Sequence, residues 1–415
     1  MLATYVKTPA ALEHYRSGPA GPHLDAFIVS LEARGYPPRR MLHLIRGMKR
    51  FSCWAQATGL TLQELDADTL EAFGQHLRGL QRLHSPSGRL SHLFVGARHF
   101  VHFLELSGLV APAAPVTAQH PTPELLVAFE HWMRMHRGTT EATLKNYRLT
   151  IIALLHTLGE QPERFEAKSL RTFMLARAGP QGIARAKTVV TAVRMFLCFL
   201  IAVDRCHPGL DQALPTIAHW RLSSLPRDLP AEAVERVRRS CDVTTASGCR
   251  DRAVLLLLAR LGLRAGDVAA LQWGDIDWHD GTLRVAGKNR RQTRLPLPQE
   301  VGDALLDYAT HQQPRIPSAH VFLTVTAPLT PASPQTISKI AARALQRAQV
   351  ERPIYGAHVL RHSAATQMLR QGASLPSIGA VLRHASVETT AHYAKVDMAL
   401  LQEVARAWPE AEPCS

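Results

Sequence analysis

The chain has 415 residues, of which 46% are hydrophobic, so it is long enough for two or three folded domains with separate cores. Lysine and arginine outnumber aspartate and glutamate by 48 to 34, and the resulting formal charge of +14 favours a polyanionic partner. The apolar runs are too short to span a bilayer, no signal-peptide core is visible, and the six cysteines form no CxxC pair. We therefore expect a reduced, cytoplasmic protein with no membrane segment and no structural metal.

Two proline-rich segments with few charges divide the sequence. The first extends from Ala111 to Pro121, and the second extends from Pro215 to Pro230. Such clusters of proline and small residues are typical of linkers. The sequence therefore predicts three domains, at residues 1–115, 116–220 and 229–408, followed by a short tail at 409–415.

The first two predicted domains look like variants of one helical unit. A helix start after Gly35 has a counterpart after Gly138, and an aromatic helix near Arg98 has a counterpart near Arg194. The offsets of 103 residues at the start and 96 at the end predict a duplicated domain. The alternative is two unrelated helical bundles, because phenylalanine and leucine at helical spacing occur in any helical core.

Basic side chains recur in the second of these units. Lys145 and Arg148 are three residues apart on a predicted helix, so they share one face. A later helix carries Arg185, Lys187 and Arg194. Each of these side chains taken alone is better explained as solvated surface, whereas the group as a whole favours contact with nucleic-acid phosphates.

The third predicted domain combines helices with short strands. Helices are predicted from Cys249 to Arg260 and from Ala265 to Leu271. Strands are predicted at Thr282–Ala286 and Thr293–Leu297, with a basic hairpin tip between them, and His320–Thr324 is a third candidate. The remaining pattern is mostly helical. The predicted fold class is therefore mainly α (α+β), with a small antiparallel β-sheet.

The last third of the chain carries an ordered set of residues with reactive or cationic side chains. They are, in chain order, Arg264, Lys288, His358, Arg361, His384 and Tyr393. The segment His358-Val-Leu-Arg361-His362, with a second histidine motif and a tyrosine nine positions after it, resembles the tyrosine recombinase (phage integrase) family. The resemblance is strong over Ala231–Arg406 and looser over Pro121–Leu214. It implies helical DNA-binding domains followed by a mostly helical catalytic domain.

The resemblance assigns the residues that bind phosphate. Arg264 and Arg361 would bind non-bridging oxygens of the scissile phosphate, a task that suits the planar donor fork of arginine. Asp267, three residues after Arg264, would help to hold that arginine. His384 would donate a hydrogen bond as negative charge develops on the phosphate oxygens.

The resemblance also identifies Tyr393 as the nucleophile. Free tyrosine has a pKa of about 10, so attack at neutral pH needs nearby cations or a base. His358 would lie near the phenol and could accept or share its proton, whereas His362 is assigned to helix packing. Tyr355 is the nearest competing tyrosine, and its loop setting makes it a poor candidate.

By the same resemblance, Lys288 is the general acid for the leaving 5′ oxygen, because the pKa of a lysine falls readily near other cations. Arg290, Arg291 and Arg294 nearby are alternatives for that role, and Arg290 and Arg291 are also candidate DNA contacts. The family often has glycine before the last histidine. Arg383 at that position either adds a phosphate contact or distorts the turn.

The family's activity is site-specific recombination of double-stranded DNA through a 3′-phosphotyrosyl intermediate, without a cofactor or a metal. The resemblance implies a homotetramer on DNA, coupled by exchange of a C-terminal helix with an apolar stripe from Met398 to Trp408. Packing of that stripe on its own domain is the alternative. Sibling recombinases are further candidate partners.

Two other functions are compatible with the same residues. One is strand swivelling by a topoisomerase of the type IB kind, and the other is a catalytically inactive DNA-binding accessory protein. The sequence also leaves integration, transposition and chromosome-dimer resolution open as the biological role. The additional N-terminal module favours a mobile element.

Overall fold

A computed structural model describes residues 2–6, 8–84, 90–112, 123–178, 182–217, 228–286, 292–312, 316–350, 356–384, 387–396 and 402. Over these ranges, none of the helices combines the length and the apolar character needed to cross a membrane. The chain divides into two compact units. One contains residues 113–221, and the other contains residues 1–112 together with residues 222–415.

The N-terminal part is helical. Its α-helices are α1 (Pro9–Arg16), α2 (Leu24–Ala33), α3 (Pro38–Ala57), α4 (Ala67–Gly79) and α5 (His92–Leu106). The side chain of Asp66 accepts a hydrogen bond from the backbone of Thr69 at 2.9 Å, which caps α4. Helices α3 and α5 approach closely because Gly47 and Gly96 face each other: a Cβ on either would lie 2.7 Å from the Cα of the other.

The unit at residues 113–221 is also helical. Its helices are α6 (Glu124–Arg137), α7 (Glu141–Leu158), α8 (Ala167–Ala178) and α9 (Ile183–Ala202). Gly138 ends α6 in the left-handed conformation at φ 55°, which glycine adopts without steric cost. A 3-10 turn at Pro162–Arg164 precedes α8, as a 3-10 turn at Leu62–Glu64 precedes α4.

The two helical modules share an aromatic cluster as well as an element order. Each contains a triplet of phenylalanines, which are Phe27, Phe100 and Phe103 in the first module and Phe129, Phe196 and Phe199 in the second. The first and second rings are 5.3 Å apart, centroid to centroid, in both modules. The second and third rings are 6.1 Å apart in both. This agreement is the pattern expected of a duplicated domain.

The C-terminal part is built around one buried helix. Its helices are α10 (Ala231–Arg239), α11 (Ala246–Arg260), α12 (Ala265–Ala270), α13 (Gln299–Asp307), α14 (Pro334–Arg347), α15 (Ala357–Arg370), α16 (Leu375–Leu382) and α17 (Val387–Ala391). A π-helical turn (Tyr308–Gln312) extends α13, and a 3-10 helix (His392–Val396) follows α17. Helix α11 contributes a continuous buried apolar run, Val254–Leu258, which packs against α13, α14 and α15.

A three-stranded antiparallel sheet flanks these helices. Its order is β1 (Ile276–Asp277), β2 (Thr282–Ala286) and β3 (Gln292–Pro296). Leu283 of β2 pairs with Leu295 of β3. The prediction of a strand at His320–Thr324 was wrong, because His320 and Leu323 form only isolated bridges. The third strand is instead the two-residue β1, which is too short to show an alternating pattern.

The N-terminal helices contact the C-terminal part within their common unit. The backbone N–H of Leu329 donates to the carbonyl of Arg34 at 3.0 Å. Gly35 has φ +72°, and a Cβ at this position would lie 2.3 Å from Cδ1 of Leu329. Glycine at position 35 therefore allows both the turn after α2 and the close approach of Leu329.

Candidate active site

Arg264 is positioned by the start of α12. Its backbone N–H donates to Oδ2 of Asp267 at 3.0 Å, so the aspartate caps the helix and fixes the backbone of the arginine. The Arg264 side chain remains 35% exposed, and its Nη2 donates to the carbonyl of Arg383 at 3.2 Å. Its Nη1 lies 4.0 Å from Oδ2 of Asp267, and the exposed part of the side chain can bind an anion.

Arg361 is held more rigidly than Arg264. It lies on α15 and is 3% exposed. Its Nη1 donates to the carbonyl of Gly262, and its Nη2 donates to the carbonyl of Leu382 at 2.5 Å. Gly262 has φ +58°, and a Cβ there would lie 2.5 Å from a methyl group of Leu382. A glycine at this turn therefore lets α11 end against α16 and present a carbonyl to the arginine.

The turn that ends α16 links the two arginines, because its successive carbonyls accept hydrogen bonds from both of them. Arg383 occupies the left-handed conformation here, at φ 55° and ψ 51°. Its side chain is 6% exposed and donates from Nη2 to Oδ2 of Asp267 at 2.5 Å. Its Nε and Nη1 are buried without a hydrogen-bond partner among the residues that the structure describes. Asp267 is thus the counter-charge for a buried arginine.

We expect Asp267→Asn to lower the free energy of unfolding by about 3 kcal/mol, because removal of one partner leaves the guanidinium of Arg383 buried without its counter-charge. Addition of Arg383→Gly should restore most of that loss, since it removes the buried charge and relieves the left-handed backbone. Urea unfolding of the two single variants and the double variant measures this coupling. A double variant that is less stable than Asp267→Asn alone would contradict the assignment.

His384 follows this turn and is oriented by a buried threonine. Its Nδ1 lies 2.8 Å from Oγ1 of Thr390, which is 1% exposed. The opposite ring nitrogen, Nε2, is thereby directed away from Thr390. The ring lies parallel to that of Tyr393, with an interplanar angle of 6° and a centroid distance of 6.3 Å.

Tyr393 is buried in a small apolar cluster of its own. It is 2% exposed and packs with Ala365, Ile378 and Leu382. Its Oη lies 2.8 Å from Nδ1 of His362. Burial raises the pKa of Tyr393 to about 12, and the nearby charge of Arg361 acts in the opposite direction. The phenol therefore carries its proton at neutral pH in the absence of a ligand.

The positive groups of the site repel further positive charge. Burial lowers the pKa of His362 and that of His384 to about 4; the next causes are the neighbouring His358 and His392 for His362, and Arg361 and Arg264 for His384. The pKa of His358 is also lowered, by burial and then by Arg361 and Arg264. Burial lowers the pKa of Arg361 to about 10. The positive charge of this cluster is not fully compensated, so the cluster can bind a phosphate.

The structure places five predicted residues near the end of α11, the start of α15 and the end of α16. They are Arg264, His358, Arg361, His384 and Tyr393. A cleft of about 350 Å³ beside Arg264 is lined by Ala286 and Gln292. These two residues flank the hairpin tip that carries the predicted Lys288, Arg290 and Arg291. The tip lies outside the described residues, as do Tyr355 and nearly all of the predicted C-terminal stripe.

The predicted DNA contacts of the helical unit at residues 113–221 differ in their surroundings. Lys145 and Arg185 are exposed, and Lys187 is half-buried. Arg148 donates two hydrogen bonds, at 2.7 and 2.6 Å, to the carboxylate of Glu130, whose side chain is 7% exposed. Arg194 donates to two backbone carbonyls, those of Asp211 and Leu214. Arg148 and Arg194 therefore have structural partners in this unit.

Sequence reasoning misses three residues of the site. His362 is assigned to helix packing, and the structure corrects this, because its ring reaches the phenol of Tyr393. Thr390 carries no signal beyond its place in the motif. Arg383 is noticed as a departure, but its pairing with Asp267, 116 residues away along the chain, depends on the tertiary fold.

Comparison with known proteins gives matches along the whole chain. The model of the Phage integrase family matches residues 227–399. The chain is 35% identical to "Putative integrase/recombinase y4rA" of Sinorhizobium fredii, over 98% of each protein. It is 30% identical to tyrosine recombinase XerC of Chlorobaculum parvum, over 67% of this chain and 92% of that relative.

Solved structures show the same fold. The XerH site-specific recombinase in a post-cleavage complex with a palindromic difH substrate has a TM-score of 0.55 at 18% identity, over 69% of this chain and 85% of that one. A lambda integrase dimer bound to a COC′ core site has a TM-score of 0.53 at 19% identity, over 79% and 94% respectively.

Proposed function

Because the chain belongs to the phage integrase family of tyrosine recombinases, we propose that its site cuts and rejoins DNA strands through a covalent bond to Tyr393. The protein is a site-specific DNA recombinase. The observation that carries the assignment of the nucleophile is the setting of its phenol. Tyr393 is hydrogen-bonded to His362, stacked beside His384 and close to the buried charge of Arg361.

In the proposed reaction, Oη of Tyr393 attacks the scissile phosphorus and the bond from phosphorus to the 5′ oxygen breaks. The products are a 3′-phosphotyrosyl link and a free 5′ hydroxyl. Arg264 and Arg361 neutralise the non-bridging oxygens, and His384 donates a hydrogen bond to them. Lys288 protonates the leaving oxygen. Attack by the 5′ hydroxyl of a partner strand reverses the step, so the bond energy is retained.

Covalent trapping distinguishes this function from its alternatives. The protein is incubated with nicked duplexes whose central sequence is randomised, and the adducts that survive detergent are sequenced. A recombinase enriches a family of related sequences. Adducts at unrelated sequences, with relaxation of supercoiled plasmid, would instead indicate strand swivelling, and the absence of adducts would indicate a DNA-binding accessory protein.

We further propose that the functional assembly is a homotetramer on double-stranded DNA. Lambda integrase has been crystallised as a tetramer bound to a Holliday junction, with a TM-score of 0.52 to this chain. Exchange of two duplexes requires four strand cleavages, which four protomers can supply. The apolar stripe from Met398 to Trp408 would link neighbouring protomers.

The N-terminal module is proposed to bind a second DNA segment. Arg46 and Arg98 are both exposed, and Arg98 occupies the position that corresponds to Arg194 in the other module. Ile28 stands where the other module has Glu130, so the N-terminal module lacks that counter-charge. Its exposed arginines are thus better placed to contact phosphates than Arg148 and Arg194, which have structural partners. This arrangement favours an integrase or transposase of a mobile element.

We expect the DNA footprint to shorten when residues 1–112 are removed. In the full-length chain, Arg46→Gln combined with Arg98→Gln should lower the slope of log affinity against log salt by about two, because two phosphate contacts are lost. The matched control replaces Arg148 and Arg194 by glutamine. An unchanged footprint and slope would refute a DNA-binding role for the N-terminal module.

A further inference from the structure

We propose that His362 is the catalytic base that takes the phenolic proton of Tyr393 during cleavage and returns it during rejoining. This inference rests on the proposed covalent chemistry at Tyr393. It assigns a proton acceptor that the sequence motif places instead at His358.

The geometry supports direct transfer. Nδ1 of His362 lies 2.8 Å from Oη of Tyr393, which is within the distance that general base catalysis requires. The phenol is held in this position by Ile378 and Leu382, and the histidine is held by α15 directly after Arg361. The base and one phosphate-binding guanidinium are therefore fixed by the same helix.

The protonation states of the pair are those that precede a transfer. The groups that face His362 are His358 and Arg361 on its own helix, His392 and Tyr393 on the 3-10 helix, and His384 after α16. Burial and these neighbours lower its pKa to about 4, so the imidazole is neutral at neutral pH. In the tautomer protonated at Nε2, the lone pair of Nδ1 accepts the hydrogen bond from the phenol. Tyr393, with a pKa of about 12, still holds its proton.

A bound phosphodiester shifts this balance. Its negative charge offsets the neighbouring cations and so raises the proton affinity of His362. As the bond from Oη to phosphorus forms, the phenolic oxygen loses electron density and its proton moves to Nδ1. The leaving 5′ oxygen takes its proton from a separate acid. In the reverse step the departing phenolate recovers the proton from His362, because a phenolate is a stronger base than the imidazole.

His358 fits a different task. Its ring centroid is 4.7 Å from that of His362, one turn earlier on α15. Its pKa is lowered by the charges of Arg361 and Arg264, which places it near the two phosphate-binding arginines. We therefore assign His358 to the phosphate and His362 to the phenol.

His362→Asn tests the assignment, because asparagine keeps a polar atom near the position of Nδ1 but cannot hold a transferred proton. On a nicked duplex recovered by covalent trapping, we expect adduct formation at pH 7 to fall about a hundredfold. The variant then depends on hydroxide to ionise the phenol, so its rate relative to the unsubstituted protein should rise about tenfold per pH unit. His392→Asn is the matched control: its ring centroid is 6.1 Å from that of Tyr393, similar to the 5.6 Å of His362, but within the described residues no hydrogen bond joins it to the phenol. It should change the rate less than about threefold.

A second readout varies the acidity of the phenol itself. Fluorinated tyrosine at position 393 should shrink the deficit of His362→Asn, whereas the protein with native His362 should respond only weakly. The measurement on the protein with native His362 tests the proposal even if His362→Asn does not fold. If its rate of adduct formation rose about tenfold for each unit by which fluorination lowers the pKa of the phenol, no base would be present. A deficit independent of pH and of phenol acidity would also overturn the proposal. No adduct at all with the unsubstituted protein would overturn the covalent chemistry and the role of His362 with it.

Discussion

Arg361→Lys should reduce the rate of covalent adduct formation by about a thousandfold, because lysine cannot replace a planar fork that bonds to two carbonyls and, in the proposed reaction, to a phosphate as well. The lysine retains the charge but leaves at least one of the carbonyls of Gly262 and Leu382 without a donor. An unsatisfied buried group of this kind costs about 1–3 kcal/mol of folding free energy. The measurements are single-turnover trapping on a nicked duplex and urea unfolding.

The matched control for this change lies on the same helix. Arg370 is 51% exposed and pairs with Asp228 at 3.1 Å, so Arg370→Lys should leave both measurements nearly unchanged. A neutral methylphosphonate at the scissile position separates catalysis from folding. If Arg361 neutralises the phosphate, the deficit of Arg361→Lys should shrink on that substrate. A deficit that stays the same size would mean that Arg361 acts only through the structure.

Tyr393→Phe should abolish adduct formation, by about 10⁴-fold or more, while DNA affinity stays within about twofold. The phenyl ring preserves the packing against Ala365, Ile378 and Leu382. Only the hydrogen bond to His362 is lost, which costs about 1 kcal/mol of stability. Denaturing electrophoresis after incubation with a nicked duplex measures the adduct, and a gel shift measures the affinity.

Tyr308→Phe is the control for removal of a buried phenol. Tyr308 is 1% exposed and stacks on Phe322 at a centroid distance of 5.9 Å, in the same unit as Tyr393. This variant should form the adduct at a rate close to that of the unsubstituted protein. If both phenylalanine variants retained the adduct, the nucleophile would be a different residue.

The parts of the site that follow from the sequence are those with local signals. Arg361 and His358 share a helix face because they are three residues apart, and the nine-residue spacing from His384 to Tyr393 is part of a recognisable motif. The helices of the C-terminal part also have a local signal; α11, for example, carries a long apolar run. The predicted start of α11 at Cys249 was three residues late, because the side chain of Thr245 caps the helix by accepting a hydrogen bond from the backbone of Gly248.

The parts that the sequence does not reveal depend on contacts between distant segments. The hydrogen bond from Tyr393 to His362 spans 31 residues, and the pairing of Arg383 with Asp267 spans 116. Neither pair leaves a periodic pattern. The error at His320–Thr324 has a different cause: Val321 and Phe322 favour a strand by residue type, but they are buried and the segment forms only isolated bridges.

The most direct test of the account is the identity of the covalent bond. The protein is incubated with a nicked duplex recovered by covalent trapping, the adduct is digested with protease and nuclease, and the nucleotide-bearing peptide is sequenced by mass spectrometry. We predict a single phosphodiester to the phenolic oxygen of Tyr393, with the 3′ end of the cut strand attached and a free 5′ hydroxyl on the other product. A nucleotide on any other side chain, or a 5′-linked adduct, would contradict it.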